Sequence, residues 1–320
     1  MVMRRNAVRS MIIGHAVGDA LGVPVEFKSR AELLYHPVTD MIGHGTHDMP
    51  PGTWSDDTSM TLCLLESIGR LGRIDANDIM QNFVRWFRNS EFTATGSVFD
   101  VGTATSQAIR RYMHGTQAEK CGGHHVDDNG NGALMRIAPL ALYLAHENRT
   151  MLLASDIAIV GKVAGLTHAH IRNQIACSIY IAIALNLLAG EGIGASIGSA
   201  MEQVHRLYDD QRYRQELPLF RRLDAIVSFR QLSPDAIKST GYVVDTLEAA
   251  IYCLVTTSSY TECVLHAVNL GDDTDTVAAV AGGLAGLAYG LRDIPQKWCQ
   301  RLMRYDYIDG LCQYFIEGLR

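Results

Sequence analysis

The sequence predicts an all-α fold, organised as a single compact multi-helix domain over residues 1–320. Three observations carry that expectation. First, apolar residues recur at helical spacing: Met60, Leu64 and Ile68 fall at intervals of four with Leu65 beside them, and Ile79, Phe83 and Phe87 share a stripe adjoined by Val84 and Trp86. Second, continuous β-branched runs are nearly absent, since 157–160 and 242–244 are short and lie inside helix-compatible windows. Third, the Gly-rich or polar breaks at 36–52, 121–132 and 209–215 are too short and too mixed to be interdomain linkers.

In chain order the pattern places helices at 7–21, 57–68, 77–88, 101–114, 133–146, 152–165, 168–189, 195–208, 242–256, 261–269, 274–291 and 295–303. Gly22 and Pro24 end the first of these, because neither continues a helix well. No repeat of 20–50 residues marks a solenoid. Functional residues are expected on the loops between helices.

Composition narrows the function classes. A chain of 320 residues buries roughly three-quarters of its unfolded surface, so it needs no metal or disulfide merely to fold. With 48% apolar and 19% charged residues, 29 Gly and 8 Pro, it is neither disordered nor collagenous. The formal net charge of −6 gives no cation excess to release counterions, which argues against nucleic acid as a partner. The segments 175–190 and 277–291 are uncharged over only about 15 residues, short of the ~20 a bilayer needs, and read as buried core helices. Arg9, His15 and Asp19 interrupt the N-terminal apolar run, so no secretory signal is expected there. Seven cysteines, odd in number, scattered and without a Cys-x-x-Cys pair, fit a reduced, cytoplasmic chain that uses Cys as a small core residue.

The strongest chemical feature is a pair of similar acidic clusters, Trp54-Ser-Asp-Asp-Thr58 and Gly271-Asp-Asp-Thr-Asp-Thr276, each opening an apolar helix. Taken singly, each reads as helix capping, because Ser, Thr and Asp are favoured N-caps and first-turn carboxylates complement the helix dipole. Taken together, they exceed what capping needs. The helix after the second cluster is apolar on every side and therefore buried, so Asp272, Asp273 and Asp275 start beside a buried region where unpaired carboxylates are costly. No Lys or Arg lies within that cluster. Carboxylate and hydroxyl oxygens without Cys or a His pair select a hard divalent cation, magnesium or manganese, and two clusters could hold two ions.

Other features are weaker alone. Asn129-Gly-Asn-Gly-Ala-Leu-Met-Arg136 reads as a Gly-rich approach to a helix start, where backbone amides favour an anion such as phosphate; a plain turn explains it equally well. It matches neither the Walker A loop nor the dinucleotide fingerprint. Glu26 on the turn after Gly22, Asp100 in Phe99-Asp-Val-Gly102, and His168 opening a helix are each compatible with surface or capping roles. The histidines of Gly43-His-Gly-Thr-His47 and Gly122-Gly-His-His125 lack zinc-ligand spacing and read as solvated loop residues.

In this order the motifs resemble those of the ADP-ribosylglycohydrolase family, nearest its bacterial branch of dinitrogenase reductase-activating glycohydrolases. The stretches concerned are Gly18-Asp-Ala-Leu-Gly22 with Glu26, Pro51-Gly-Thr-Trp-Ser-Asp-Asp-Thr-Ser-Met60, Phe99-Asp-Val-Gly102, Gly130-Asn-Gly-Ala-Leu-Met-Arg136, Thr167-His168, the segment from Thr240 to Ala250, and Gly271-Asp-Asp-Thr-Asp-Thr276. The resemblance spans nearly the whole chain.

It implies an all-helical domain with a binuclear magnesium or manganese centre at the base of a cleft. Ser55, Asp56 and Asp57 would be ligands from one side, and Asp273, Asp275 and Thr276 from the other. Where Ser55 stands the family usually has Thr, so the hydroxyl is kept and a methyl lost. Glu26 matches a metal-associated or catalytic glutamate and Asp100 a general base. Gly130, Asn131 and Gly132 would hold a diphosphate, His168 would line the ribose side, and Tyr242 would close the cleft.

The implied activity is metal-dependent hydrolysis of the N-glycosidic bond between ADP-ribose and a protein side chain, arginine by preference, so the partner is an ADP-ribosylated protein and, with it, a cognate ADP-ribosyltransferase system. The alternatives are a serine or other ADP-ribose conjugate, or an immunity or regulatory protein that blocks an ADP-ribosylating toxin by binding it.

Overall fold

The computed structural model describes residues 5–319, and among them every regular element is helical. The α-helices are α1 (Arg5–Gly22), α2 (Arg30–Tyr35), α3 (Asp56–Leu71), α4 (Ala76–Asn89), α5 (Thr103–Met113), α6 (Ala138–His146), α7 (Ala154–Ala164), α8 (Ile171–Ala189), α9 (Ile193–Leu207), α10 (Ile226–Phe229), α11 (Val243–Thr256), α12 (Tyr260–Asn269), α13 (Thr274–Tyr289), α14 (Gln296–Arg301) and α15 (Tyr305–Gly318). The expected all-α class is therefore observed. Two helices of six or more residues lie outside the expected set. Helix α2 is short but carries a capping box, Ser29 with Glu32. Helix α15 buries Ile308, Cys312, Phe315 and Ile316 at helical spacing against α3.

The centre of the molecule is the pair α1 and α13, which run antiparallel at unusually close range. A Cβ built at Gly14 would lie 2.5 Å from the Gly282 carbonyl oxygen, one at Gly18 2.1 Å from that of Ala278, and one at Gly22 2.3 Å from Asp275 Cα. Glycine at every fourth residue lets the two backbones touch, and this seam fixes the start of α13 against the end of α1. All residues of α13 from Thr274 to Gly286 are buried, as the all-round apolar sequence implies. Helix α8 is long and apolar enough for a membrane span by length and composition, yet 78% of its most apolar window is buried inside the molecule, as in a core helix.

Two expected helix starts move. Residues 132–136 form turns, and α6 begins at Ala138. Gly130, Asn131 and Gly132 therefore lie in a loop well before the helix, and helix-terminal amides do not account for any anion affinity there. His168 likewise precedes α8, whose N-cap is His170.

Candidate active site

The site forms where the ends of α1, α3 and α13 meet. Near the end of α1, Asp19 reaches the start of α3. Its carboxylate accepts from the Ser55 amide at 2.9 Å, the Thr58 amide at 3.0 Å and the Thr58 hydroxyl at 2.6 Å. Ser55 adds its own cap to the Asp57 amide. With the α3 amides satisfied in this way, the Asp56 and Asp57 carboxylates are not needed as caps. At α13 the N-cap residue Asp273 makes no side-chain cap bond at all. Asp275 Oδ1 accepts from the Thr276 amide at 2.9 Å, so what both clusters leave buried and unpartnered for another task, among the described residues, is one carboxylate oxygen each of Asp57, Asp273 and Asp275.

They converge. The Ser55 hydroxyl donates to Asp57 Oδ2 at 2.9 Å, and the Thr276 hydroxyl reaches the same oxygen at 3.3 Å. Asp19, Asp57 and Asp275 each offer an oxygen within 4.8 Å of the others, and so do Glu26, Asp273 and Asp275. Asp275 joins the two sets. A third set, Glu26, Asp100 and His47, continues from Glu26 toward the surface.

Above them opens a cavity of about 340 Å³. Its lining includes the carboxylates of Glu26, Asp56, Asp100, Asp127 and Asp273, and no Lys or Arg among the described residues. Gly130, Asn131, Gly132 and His168 line the same cavity. The glycine loop is pinned by backbone bonds from Asn131 to Gly241 and from Val243 to Asn129, both 3.0 Å. The Asn131 amide nitrogen then donates to Asp273 Oδ2 at 2.8 Å and to Thr246 at 2.9 Å, tying the loop to the acidic cluster. Gly132 is required sterically, since a Cβ there would lie 2.7 Å from His168 Cε1 and 2.9 Å from Thr105 Oγ1.

Burial dominates the electrostatics. It pushes Asp56, Asp57 and Asp275 well above the usual carboxylate range, and the neighbouring carboxylates push further in the same direction. Burial also raises Asp273 and Asp100, and brings Asp19 and Glu26 up to about 7. Among the described residues the nearby counter-charge is His47, hydrogen-bonded to Glu26, which raises the imidazole in turn.

Among the described residues, three buried carboxylate oxygens, Asp57 Oδ1, Asp273 Oδ1 and Asp275 Oδ2, have no hydrogen-bond partner. Such orphans are expensive. An all-oxygen set with unpaired anionic atoms fits a hard divalent cation, with Ser55 and Thr276 hydroxyls beside it.

The residues singled out in the sequence fall into three places. Glu26, Asp56, Asp100, Gly130, Asn131, Gly132, His168, Asp273 and Thr276 line the cavity. Ser55, Asp57 and Asp275 are buried beside them. Tyr242 stands apart from the lining, as N-cap of α11 with its ring under the Arg172 guanidinium at 5.5 Å.

Asp19, His47 and Asp127 belong to the site without standing out in the sequence. Asp19 has a readable signal, as a lone carboxylate in an apolar helix. His47 corrects the expectation of a solvated loop histidine, for its side chain is only 16% exposed and paired. His44, His124 and His125 are exposed or half-exposed, as expected.

Comparison with known proteins agrees with this geometry. The family model for ADP-ribosylglycohydrolase matches residues 2–320. The ADP-ribosylarginine hydrolase Tri1 of Serratia proteamaculans is 33% identical over 306 residues, covering 95% of this chain and 77% of the relative. The ADP-ribosyl-[dinitrogen reductase] glycohydrolase of Rhodospirillum rubrum is 32% identical, covering 91% and 88%. A solved structure, an ADP-ribosylglycohydrolase-related protein complex, superposes with a TM-score of 0.80 at 30% identity over the full length of both chains.

Proposed function

The chain belongs to the ADP-ribosylglycohydrolase family, and on that premise we propose that it hydrolyses the N-glycosidic bond between ADP-ribose and an arginine side chain of a modified protein. The observation that carries the reading is the meeting of two acidic helix starts, one at Asp57 and one at Asp275, in a single cleft faced by the Gly130–Gly132 loop. The names of the relatives from Serratia proteamaculans and Rhodospirillum rubrum support ADP-ribosyl hydrolysis, the former with arginine as acceptor.

In this reading Ser55, Asp56, Asp57, Asp273, Asp275 and Thr276 hold two divalent cations, magnesium or manganese. When bound, the cations supply Lewis-acid polarisation and neutralise the buried carboxylates. The chain's own groups do the rest. Gly130, Asn131 and Gly132 let the diphosphate approach the backbone, and His168 meets the sugar-phosphate oxygens beside them. Tyr242 anchors this loop from behind, through the pairing of its backbone with Gly130. The carboxylate-lined cavity suits a cationic guanidinium.

Cleavage breaks the bond from the anomeric carbon to the guanidine nitrogen, with the electron pair leaving on nitrogen. Water adds its oxygen to the carbon, and the proton it loses passes through Asp100 to the departing guanidine. Glu26, held by His47 and with an oxygen within 4.8 Å of Asp100, completes that relay.

The test is incubation of the purified protein with arginine- and serine-ADP-ribosylated peptides, each with and without chelator. Release of ADP-ribose from the arginine adduct, lost on chelation and restored by magnesium or manganese, is the expected result. Preference for the serine adduct overturns the acceptor assignment, and chelator-insensitive release overturns the metal assignment.

A further inference from the structure

Arg136 is fully buried yet makes no ion pair among the described residues. Its guanidinium stacks over the Phe83 ring at 4.9 Å, and Nη2 donates to the Val163 carbonyl at 3.1 Å and to Thr167 Oγ1 at 2.8 Å. Nε and Nη1 have no partner among the described residues. A buried cation without a carboxylate is costly, and packing alone would be served by an apolar residue. Its one side-chain hydrogen bond leads toward the cleft. Thr167 Oγ1 lies 2.9 Å from His168 Nδ1, and His168 lines the cavity.

Proton bookkeeping fixes the rest. An arginine only donates, so Thr167 Oγ1 accepts from Arg136. The hydroxyl proton of Thr167 then needs an acceptor, and in this fully buried position His168 Nδ1 is the one within reach among the described residues. If Nδ1 carried a proton, the Thr167 proton would be stranded. Nδ1 is therefore the acceptor, and the imidazole proton sits on Nε2. That nitrogen faces the glycine loop, 3.6 Å from where a Gly130 Cβ would stand.

We infer that Arg136 and Thr167 are positioning residues that lock His168 in its Nε2–H tautomer, so that the cleft presents a hydrogen-bond donor to an oxygen of the bound sugar phosphate. Burial and the charge of Arg136 also hold the imidazole neutral, at about 3. A neutral, oriented donor binds an oxygen acceptor without adding a charge that would compete with the cation site. The identity of the ligand as ADP-ribose rests on the proposed function above; the tautomer does not.

The experiment is long-range proton–nitrogen NMR on histidine-labelled protein, with the His168 signals assigned by their loss in His168→Gln. The expected spectrum has a protonated, pyrrole-type Nε2 and a pyridine-type Nδ1 in the ligand-free wild type. Thr167→Val releases the lock, giving a mixed tautomer and about tenfold weaker ADP-ribose binding, while Thr167→Ser restores both. A wild-type Nδ1–H pattern overturns the inference without need of any variant. So does Thr167→Val with an unchanged tautomer. If the tautomer behaves as expected but ADP-ribose does not bind wild type, the ligand reading falls and the lock stands.

Discussion

The Thr276 hydroxyl lies 3.3 Å from Asp57 Oδ2, across 219 residues of sequence. This contact joins the N-termini of α3 and α13 directly, so the two acidic clusters form one site. Its energetics run against the isolated protein, because Asp19, Asp57 and Asp275 share a fully buried space and no Lys or Arg among the described residues lines the adjoining cleft. Such an arrangement persists when a cation is available to balance it.

The first prediction follows from that imbalance. Asp57→Asn removes a carboxyl that folding must either bury charged or protonate, while keeping an acceptor for Ser55 and Thr276, so in chelator the variant should be more stable than wild type, by roughly 1–3 kcal/mol. In millimolar magnesium or manganese the order should reverse, as wild type gains RT ln(1 + [cation]/Kd) and the variant gains little. Thermal unfolding with and without cation measures both. An Asp57→Asn protein that is less stable than wild type in chelator contradicts the proposed charge imbalance.

Activity should fall with the same residues. Asp56→Ala and Asp273→Ala are each expected to lower turnover of an ADP-ribosyl-arginine substrate at least ~10³-fold, since each removes a cleft-lining carboxylate that the proposed function makes a cation ligand. Full activity of either variant in chelator-treated buffer resupplied with magnesium counts against the metal assignment.

The two loop glycines should behave differently. Gly132→Ala puts a methyl 2.7 Å from His168 Cε1, whereas a Cβ at Gly130 meets nothing closer than 3.6 Å. Overpacking at Gly132 should cost about 1–3 kcal/mol of stability, with Gly130→Ala near neutral. Denaturant midpoints of the two variants decide it, and equal midpoints would be inconsistent with the tight packing of Gly132 against the imidazole.

How much of this is legible in the sequence varies with the physics behind each part. The helices are readable because apolar residues at 60, 64 and 68 or at 79 and 83 report their own burial, with Phe87 half-buried on the same stripe. The acidic clusters are readable because so many carboxylates at the head of an apolar helix exceed any capping need. Their convergence is not, since it depends on the glycine seam between α1 and α13, and small residues carry no periodic apolar signal. The lone carboxylate of Asp19 shows in α1, but its role does not. It serves as a cap for a helix 36 residues away, and a cap supplied in space leaves no local pattern. Sequence places the start of α6 too early because Ala133-Leu-Met has strong helix propensity, yet the loop holding Asn131 to Gly241 and Asp273 overrides it. His47 escapes a sequence reading because its partner Glu26 is distant along the chain.

His168 sets a pH prediction. Its folded pKa, about 3, lies below the unfolded value of about 6.5. The unfolded chain therefore binds the extra proton between those values, so this residue's contribution is complete above pH 6.5 and is lost as pH falls toward 3. From pH 6.5 to pH 5 the loss is about 2 kcal/mol. Comparing wild type with His168→Gln in urea at pH 7.5 and pH 5 cancels the other titrating groups. The stability difference should shift by that amount in favour of the variant at pH 5, and a pH-independent difference refutes the buried neutral imidazole.

The glycine seam gives the last prediction, which separates folding from site assembly. Gly22→Ala places a methyl 2.3 Å from Asp275 Cα, a backbone atom that cannot swing aside. Relief requires the start of α13 to move away from the end of α1, and with it Asp273 and Asp275. Stability should drop by more than ~2 kcal/mol, and cation-induced stabilisation should shrink beyond that loss because the two carboxylate sets no longer share Asp275. Gly198→Ala is the control, since its Cβ meets nothing within 4 Å in the middle of α9. Replacing a helix-interior glycine there should raise stability by roughly 0.5–1 kcal/mol and leave the cation response intact. A Gly22→Ala protein with wild-type stability and cation response would mean that the seam does not set the position of α13, and that the carboxylates are held together by something other than the close approach of these two helices.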